Sequence, residues 1–300
     1  MDRARRALPD EPGLTLSSAV EIGLPARRRL SLAHLSLIAL APEELMRIAG
    51  DAGFDLVDLR LSPATPADRV YGRDELTALC RALRPVLRDA GLRVWDVEII
   101  RLNDRTRPED HLPLMEAAAS LGASRIKLVC DSEDHGRAAQ MLGSLCDLAA
   151  PFGLVMDVEY MVFSGVKSLS SAIDLVQAAA RPNLAVLVDA LHWVRAGDMG
   201  TLKTADRARL GYVQLCDGPL RGPVLCGPDG RRALVQEART SRLAPGEGEF
   251  PLDDLLAGMP SRCVASVEVP LPPGREPLAH ARHLCRATRQ FCARHDQVAS

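Results

Sequence analysis

The sequence predicts a (β/α)8 barrel, and three observations carry that expectation. Eight short apolar runs recur along the chain, helical patterns fill the gaps between them, and each run-plus-helix unit takes about 30 residues. Strict alternation of this kind implies a parallel sheet, and eight units favour its closure into one barrel. An open, doubly wound sheet is the structural alternative, but no G-x-G-x-x-G follows the first run.

Residues 1–28 are rich in Pro and Arg without a sustained period, which reads as an N-terminal extension outside the barrel and partly mobile. The barrel is expected over 29–296. It opens with RLSLAHLSLI (29–38), followed by APEELMRIAGDAG, where Pro42, Glu43 and Glu44 suit a first turn and Gly53 a helix end. FDLVDLRL (54–61) precedes RDELTALCRALRPVLRDAG, whose Leu76, Leu79, Leu83, Val86 and Leu87 share one helical face; Pro85 is a candidate kink. RVWDVEIIRL (93–102), RIKLVCD (125–131), LVMDVEYM (154–161), AVLVDALHW (185–193), LGYVQLCDG (210–218) and CVASVEVP (263–270) complete the strands, rich in Val, Ile and Leu as strands covered on both faces should be. PLMEAAASLGA, GRAAQMLGSLCDLAAPFG, LSSAIDLVQAAARPN, PLDDLLAGM and EPLAHARHLCRATRQFCARH read as helices, and 194–209 is only weakly helical.

Bulk properties narrow the function. Lys plus Arg number 37 against 39 Asp plus Glu, a balance that argues against a nucleic-acid or membrane-surface partner. There is no 18-residue apolar run and no secretory h-region, so the expected location is the cytoplasm, with no membrane span. Eight cysteines without a C-x-x-C pair suggest reduced, buried thiols. Oligomeric state is not legible.

Four late strands break the apolar rule near their C-terminal ends, with Glu159, Asp189, Gln214 and Glu268. Barrel active sites are assembled at that rim, and carboxylates buried there are costly unless paired or metal-bound. A single strand-end acid is ordinarily a helix cap or a salt-bridge partner; four polar groups on successive strands are better explained together. Three carboxylates and an amide oxygen form a hard ligand set suited to Mn²⁺, Mg²⁺ or Co²⁺, with Zn²⁺ within its range. The spacing between Gln214 and Glu268 exceeds one unit; the excess falls in 219–249, a long strand-7 loop expected to cover the site.

In these segments, together with EYMVFSGVKSL (159–169), PNLAVLVDALHWVRAGD (182–198), YVQLCDGPL (212–220), EARTSRLAPGEGEFPLDDLL (237–256) and SVEVP (266–270), the chain resembles the xylose-isomerase-like barrels, the superfamily of sugar phosphate isomerases/epimerases and endonuclease IV. The resemblance spans about 29–292 and implies a metal held by Glu159, Asp189, Gln214 and Glu268. It singles out His192 of a D-x-x-H motif, and it makes Arg242, ahead of Pro245-Gly246-Glu247-Gly248, a substrate-binding position. Most ketose 3-epimerases of this superfamily carry His where this chain has Gln214; Gln214 with His192 is more similar to the 3-dehydroshikimate dehydratases. The segment 219–236 matches nothing assignable.

The expected chemistry is therefore a metal-dependent isomerase or epimerase acting on a small, sugar-like hydroxy-carbonyl compound through an enediolate, Glu159 and Glu268 exchanging its proton. One alternative is a dehydratase (lyase) of a cyclic hydroxy-keto acid or inosose, with His192 as the proton-transfer group. Another is a non-catalytic ligand-binding barrel. Endonuclease IV-like DNA repair calls for a histidine-rich trinuclear zinc site, and only His34 and His192 lie near strand ends. Arg242 suits a substrate carboxylate or phosphate. His34 and Glu98 are further candidates for lining a substrate pocket, Trp95 and Trp193 suit the core, and Lys127 is expected to face a helix.

Overall fold

The computed structural model describes residues 27–64, 68–223 and 227–298; the expected extension lies outside them apart from Arg27 and Arg28. Eight parallel strands close into a barrel in sequence order. They are β1 (Leu30–Leu32), β2 (Leu56–Arg60), β3 (Arg93–Leu102), β4 (Arg125–Cys130), β5 (Val155–Glu159), β6 (Leu184–Asp189), β7 (Leu210–Leu215) and β8 (Ala265–Val267). Closure is made by β1 against β8, with Leu30, Ser31 and Leu32 opposite Ala265, Ser266 and Val267.

The helices are α1 (Pro42–Ala52), α2 (Arg73–Asp89), α3 (Leu112–Ser120), α4 (His135–Ala149), α5 (Leu169–Ala179), α6 (Ala190–Ala196), α7 (Gly227–Thr240), α8 (Leu252–Gly258) and α9 (Pro277–Val298). Their ends follow local chemistry. Pro42 occupies the first turn of α1, and Gly53, at φ 90°, turns its N–H back on Ala49 and Gly50. Asp134 caps α4 and Ser168 caps α5 through side-chain oxygens. α2 runs through Pro85 without interruption. Among the described residues no helix is long and apolar enough to cross a membrane, and the seven described cysteines are free thiols.

Three assignments differ from the sequence reading. β1 is only three residues long, because His34–Leu37 turns into a 3-10 helix. β6 stops at Asp189 and the following Ala-Leu-His-Trp is helical, since the Asp189 side chain caps α6. The segment 219–249 is not plain loop: it contains the 14-residue α7, docked to α6 by Arg195 Nη2 on Glu237 at 2.6 Å.

The main apolar core lies between the outer strand faces and the helices. The lumen is different. Its floor is a small apolar group of Leu56, Leu187, Tyr212 and Val264, with Trp95 against it. Above and around that floor the inward side chains are polar and paired. Asp58 accepts from the hydroxyls of Ser31 and Ser266, the Tyr212 hydroxyl donates to Asp96 across the barrel, and Arg125 Nη1 lies 2.7 Å from Asp157. Buried polar groups demand this pairing, and an isolated charge there would cost several kcal/mol.

Gly211 shows how tightly the lumen is filled. A Cβ there would collide with Asp157 Oδ1 and lie 2.8 Å from Arg125 Nη1, so β7 has no room for a side chain at this point. Gly211→Ala is expected to disrupt that buried pair and lower stability by roughly 2–4 kcal/mol. Urea denaturation checks this; an unchanged midpoint would mean that the pair shifts without cost.

Candidate metal centre

The four strand-end groups converge. Glu159 ends β5, Asp189 ends β6, Gln214 lies one residue before the end of β7, and Glu268 follows β8 directly. Register sets Asp189 opposite Gln214, with Glu159 opposite Leu187 and Gln214 opposite Ser266, so each outer acid lies within two residues of the level of its neighbour. Carboxylate oxygens of Glu159, Asp189 and Glu268 lie within 4.8 Å of one another, all buried. Gln214 Nε2 donates to Glu268 Oε1 at 3.2 Å, while its Oε1 is buried with no hydrogen-bond partner. Three converging carboxylates and an unsatisfied carbonyl oxygen are a donor set that fits a hard divalent cation.

Two cations occupy the same space. Arg242, only 6% exposed, places Nη1 2.6 Å from Asp189 Oδ2 and Nη2 3.0 Å from Glu268 Oε2, with Nε donating to the Ala238 carbonyl. Lys127, 1% exposed, lies 3.0 Å from Glu98, 3.3 Å from Glu268 and 3.8 Å from Glu159. The expectation that Lys127 faces a helix is thus corrected. Its side chain crosses the lumen from β4 toward β8, on the same strand face as Arg125. The overlooked signal was period two: Arg125 and Lys127 on β4, and the repeated D-V-E of 96–98 and 157–159, put charges on alternate residues of otherwise apolar strands.

The pairing is uneven. Asp189 has both oxygens engaged, Oδ1 by the His192 amide at 3.0 Å and Oδ2 by Arg242. Glu268 faces Arg242, Lys127 and Gln214. Glu159 meets only Lys127 among these, at the longest distance. Burial, with the nearby charges of Glu268 and Asp189, pushes the Glu159 carboxyl up to about 8 against the pull of Lys127.

His192 is placed over the rim by the first turn of α6, its ring edge-on to Phe163 at 5.2 Å between centroids. Burial drives its pKa down to about 4, so the imidazole is neutral, and Nδ1 is buried without a partner. His34 is committed to backbone: Nδ1 accepts from the Arg60 amide at 2.9 Å, and Nε2 donates to the Leu40 carbonyl at 3.1 Å. Glu98 is fully buried; burial alone would raise its pKa, but Lys127 and Arg60 hold it at about 2. Arg60 grips it through Nε and Nη2 at 3.1 and 2.7 Å.

Several relevant residues were not foreseen. Asp58 and Asp96 join the expected Glu98 in a second buried acidic group in the lumen. Asp217 organises the segment that delivers Arg242: its backbone pairs with Leu243 in both directions, and its carboxylate accepts from the amides of Gly218, Gly246 and Phe250. Gly248 is needed there because a Cβ would strike Asp217 and the Gly218 backbone. Pro245-Gly246-Glu247-Gly248 is therefore a tight turn that sets the reach of Arg242. At the mouth, a cavity of about 450 Å³ lies between the segment after β5 and α7, lined among others by Arg101, Phe163, Lys167, Arg231 and Leu234.

Comparison with known proteins follows the fold. The sequence model of a family described as xylose isomerase-like TIM barrel matches residues 46–290. No curated protein matches the sequence. Among solved structures, a xylose isomerase-like TIM barrel/4-hydroxyphenylpyruvate dioxygenase fusion protein superposes with a TM-score of 0.72 at 20% identity over 91% of this chain, which spans 45% of that longer protein. The IOLI protein with a bound zinc atom has a TM-score of 0.70 at 17% identity, covering 89% of this chain and 99% of its own. The probable 3-DHS dehydratase AsbF of Bacillus anthracis has a TM-score of 0.63 at 12% identity, covering 87% and 98%. These likenesses establish the barrel fold.

Asp58 offers a check on the lumen. Burial raises its carboxyl to about 7 in the folded protein, against about 3.9 when unfolded. The folded chain therefore keeps a proton that the unfolded chain releases, and this group's contribution to stability falls as pH rises from about 4 to about 7. Asp58→Asn cannot titrate, so its stability relative to wild type is expected to climb across that window by on the order of 3 kcal/mol. Urea denaturation at both ends of the window reads this out, and parallel pH profiles would refute a neutral Asp58.

Proposed function

The chain belongs to the xylose isomerase-like TIM barrel family, and on that footing we propose that it is a divalent-metal-dependent isomerase or epimerase of a small hydroxy-carbonyl, sugar-like compound. The supporting observation is the convergence of Glu159, Asp189 and Glu268 around the unpartnered Gln214 Oε1. These four residues would hold the ion, with Mn²⁺, Mg²⁺ or Co²⁺ favoured by the oxygen donors and Zn²⁺ within range. A bound divalent ion would polarise the substrate carbonyl and stabilise the enediolate form.

The chain's own groups would do the rest. Glu159, the least compensated carboxylate, takes the proton from the carbon beside the carbonyl. Glu268, held by Arg242 and Lys127, returns one from the other side. Burial of both keeps bulk water from competing for the proton. Asp189 is too fully engaged to move a proton; it holds the α6 turn and fixes Arg242. Arg242, already forked onto two carboxylates, would meet substrate oxygens at the edge of its guanidinium. α7, whose Arg231 and Leu234 line the cavity, would cover the mouth.

A dehydratase reading has its own support: the neutral, buried His192 with a free Nδ1 is a proton acceptor poised at the rim. In that case His192 removes the proton and a hydroxyl leaves β to the carbonyl.

Mn²⁺-loaded protein in D2O, offered ketohexoses, inososes and 3-dehydroshikimate, separates the two. Deuterium incorporation beside the carbonyl without loss of water is expected, and loss of water would establish the lyase. Glu159→Gln should cut turnover by roughly 10³-fold with the fold intact, whereas His192→Ala should do so only in the lyase. Full turnover in Glu159→Gln would remove this site from the chemistry.

A further inference from the structure

The carboxylate triad is not simply awaiting a cation; the protein already supplies one. Lys127 rises from β4 and crosses to the opposite wall, with its side chain 2% exposed. Its Nζ lies 3.3 Å from Glu268 Oε1 and 3.8 Å from Glu159 Oε2. Those are oxygens of two of the three carboxylates that converge as a cation-binding group. On its other side it lies 3.0 Å from Glu98 Oε1.

The neighbouring cations are each held by several bonds, Arg242 on two members of the triad itself. Arg60 grips Glu98 through two nitrogens, and Arg242 is fixed on Asp189, Glu268 and the Ala238 carbonyl. Lys127 has a flexible stem and a point charge divided among three carboxylates, so it is the cation most easily drawn toward one acid or released by another. Interactions among charges this close and this buried are poorly screened.

We propose that Lys127 is a resident counter-ion of the metal centre, lying against Glu159 and Glu268 in the metal-free protein and competing with the divalent cation for them, so that it lowers the metal affinity. The inference rests on the metal-binding reading of this site given above. Glu98 is the counterweight: by drawing Lys127 away from the triad, it favours the metal. A Lys127 that merely ties β4 to β8 would affect stability alone.

Isothermal titration of chelator-stripped protein with Mn²⁺ tests this. Lys127→Met is expected to bind Mn²⁺ at least about tenfold more tightly than wild type, and to show the larger rise in melting temperature when Mn²⁺ is added. Lys127→Gln, which keeps a donor of similar length without the charge, should do the same if the Met variant folds poorly. Glu98→Gln should bind about tenfold more weakly, because Lys127 then leans wholly on the triad. Equal or weaker Mn²⁺ binding in the Lys127 variants, or tighter binding in Glu98→Gln, overturns the counter-ion role while leaving the metal centre standing. Absence of Mn²⁺ binding in wild type and every variant overturns both.

Discussion

The structure depends on one constraint: a barrel lumen that buries many charges must pair each of them. Glu98, Asp157, Glu159, Asp189 and Glu268 are all nearly or wholly buried, as are Lys127 and Arg242. An isolated charge in such a place costs several kcal/mol, so the lumen is tolerable only as a network. That network reaches from the Arg125–Asp157 pair, through Arg60–Glu98–Lys127, to Arg242 at the rim.

The same constraint ties the site to the fold. Asp189 ends a strand, caps a helix and anchors Arg242. Arg242 in turn depends on Asp217, which pins the turn carrying it, and on α7, held to α6 by Arg195 and Glu237. The helix within 219–249 is therefore part of the support for the rim. Compensation at the rim is unequal: Glu268 and Asp189 are heavily paired, whereas Glu159 is left with the most distant partner.

The barrel was legible because parallel strands covered on both sides must be apolar runs, and β3 was bounded to the residue by its own pattern. The strand-end acids stood out for the same reason: a Glu in V-E-Y-M or V-E-V-P contradicts its surroundings. His192 was harder to place. Its sequence reads as strand, and only the cap from Asp189 turns it over the rim. The helix in 227–240 was missed because its apolar face is sparse, with Leu234 and Ala238 carrying its burial.

The sequence by itself determined the number and order of units, the end of the barrel that carries the site, and the identity of the four converging groups, since each is a local violation of a periodic pattern. Only the tertiary structure decided who compensates whom. Lys127 and Glu268 lie 141 positions apart, and Arg242 and Asp189 lie 53 apart. Periodicity says which face of a strand a charge occupies, but not which charge stands opposite once the sheet has closed.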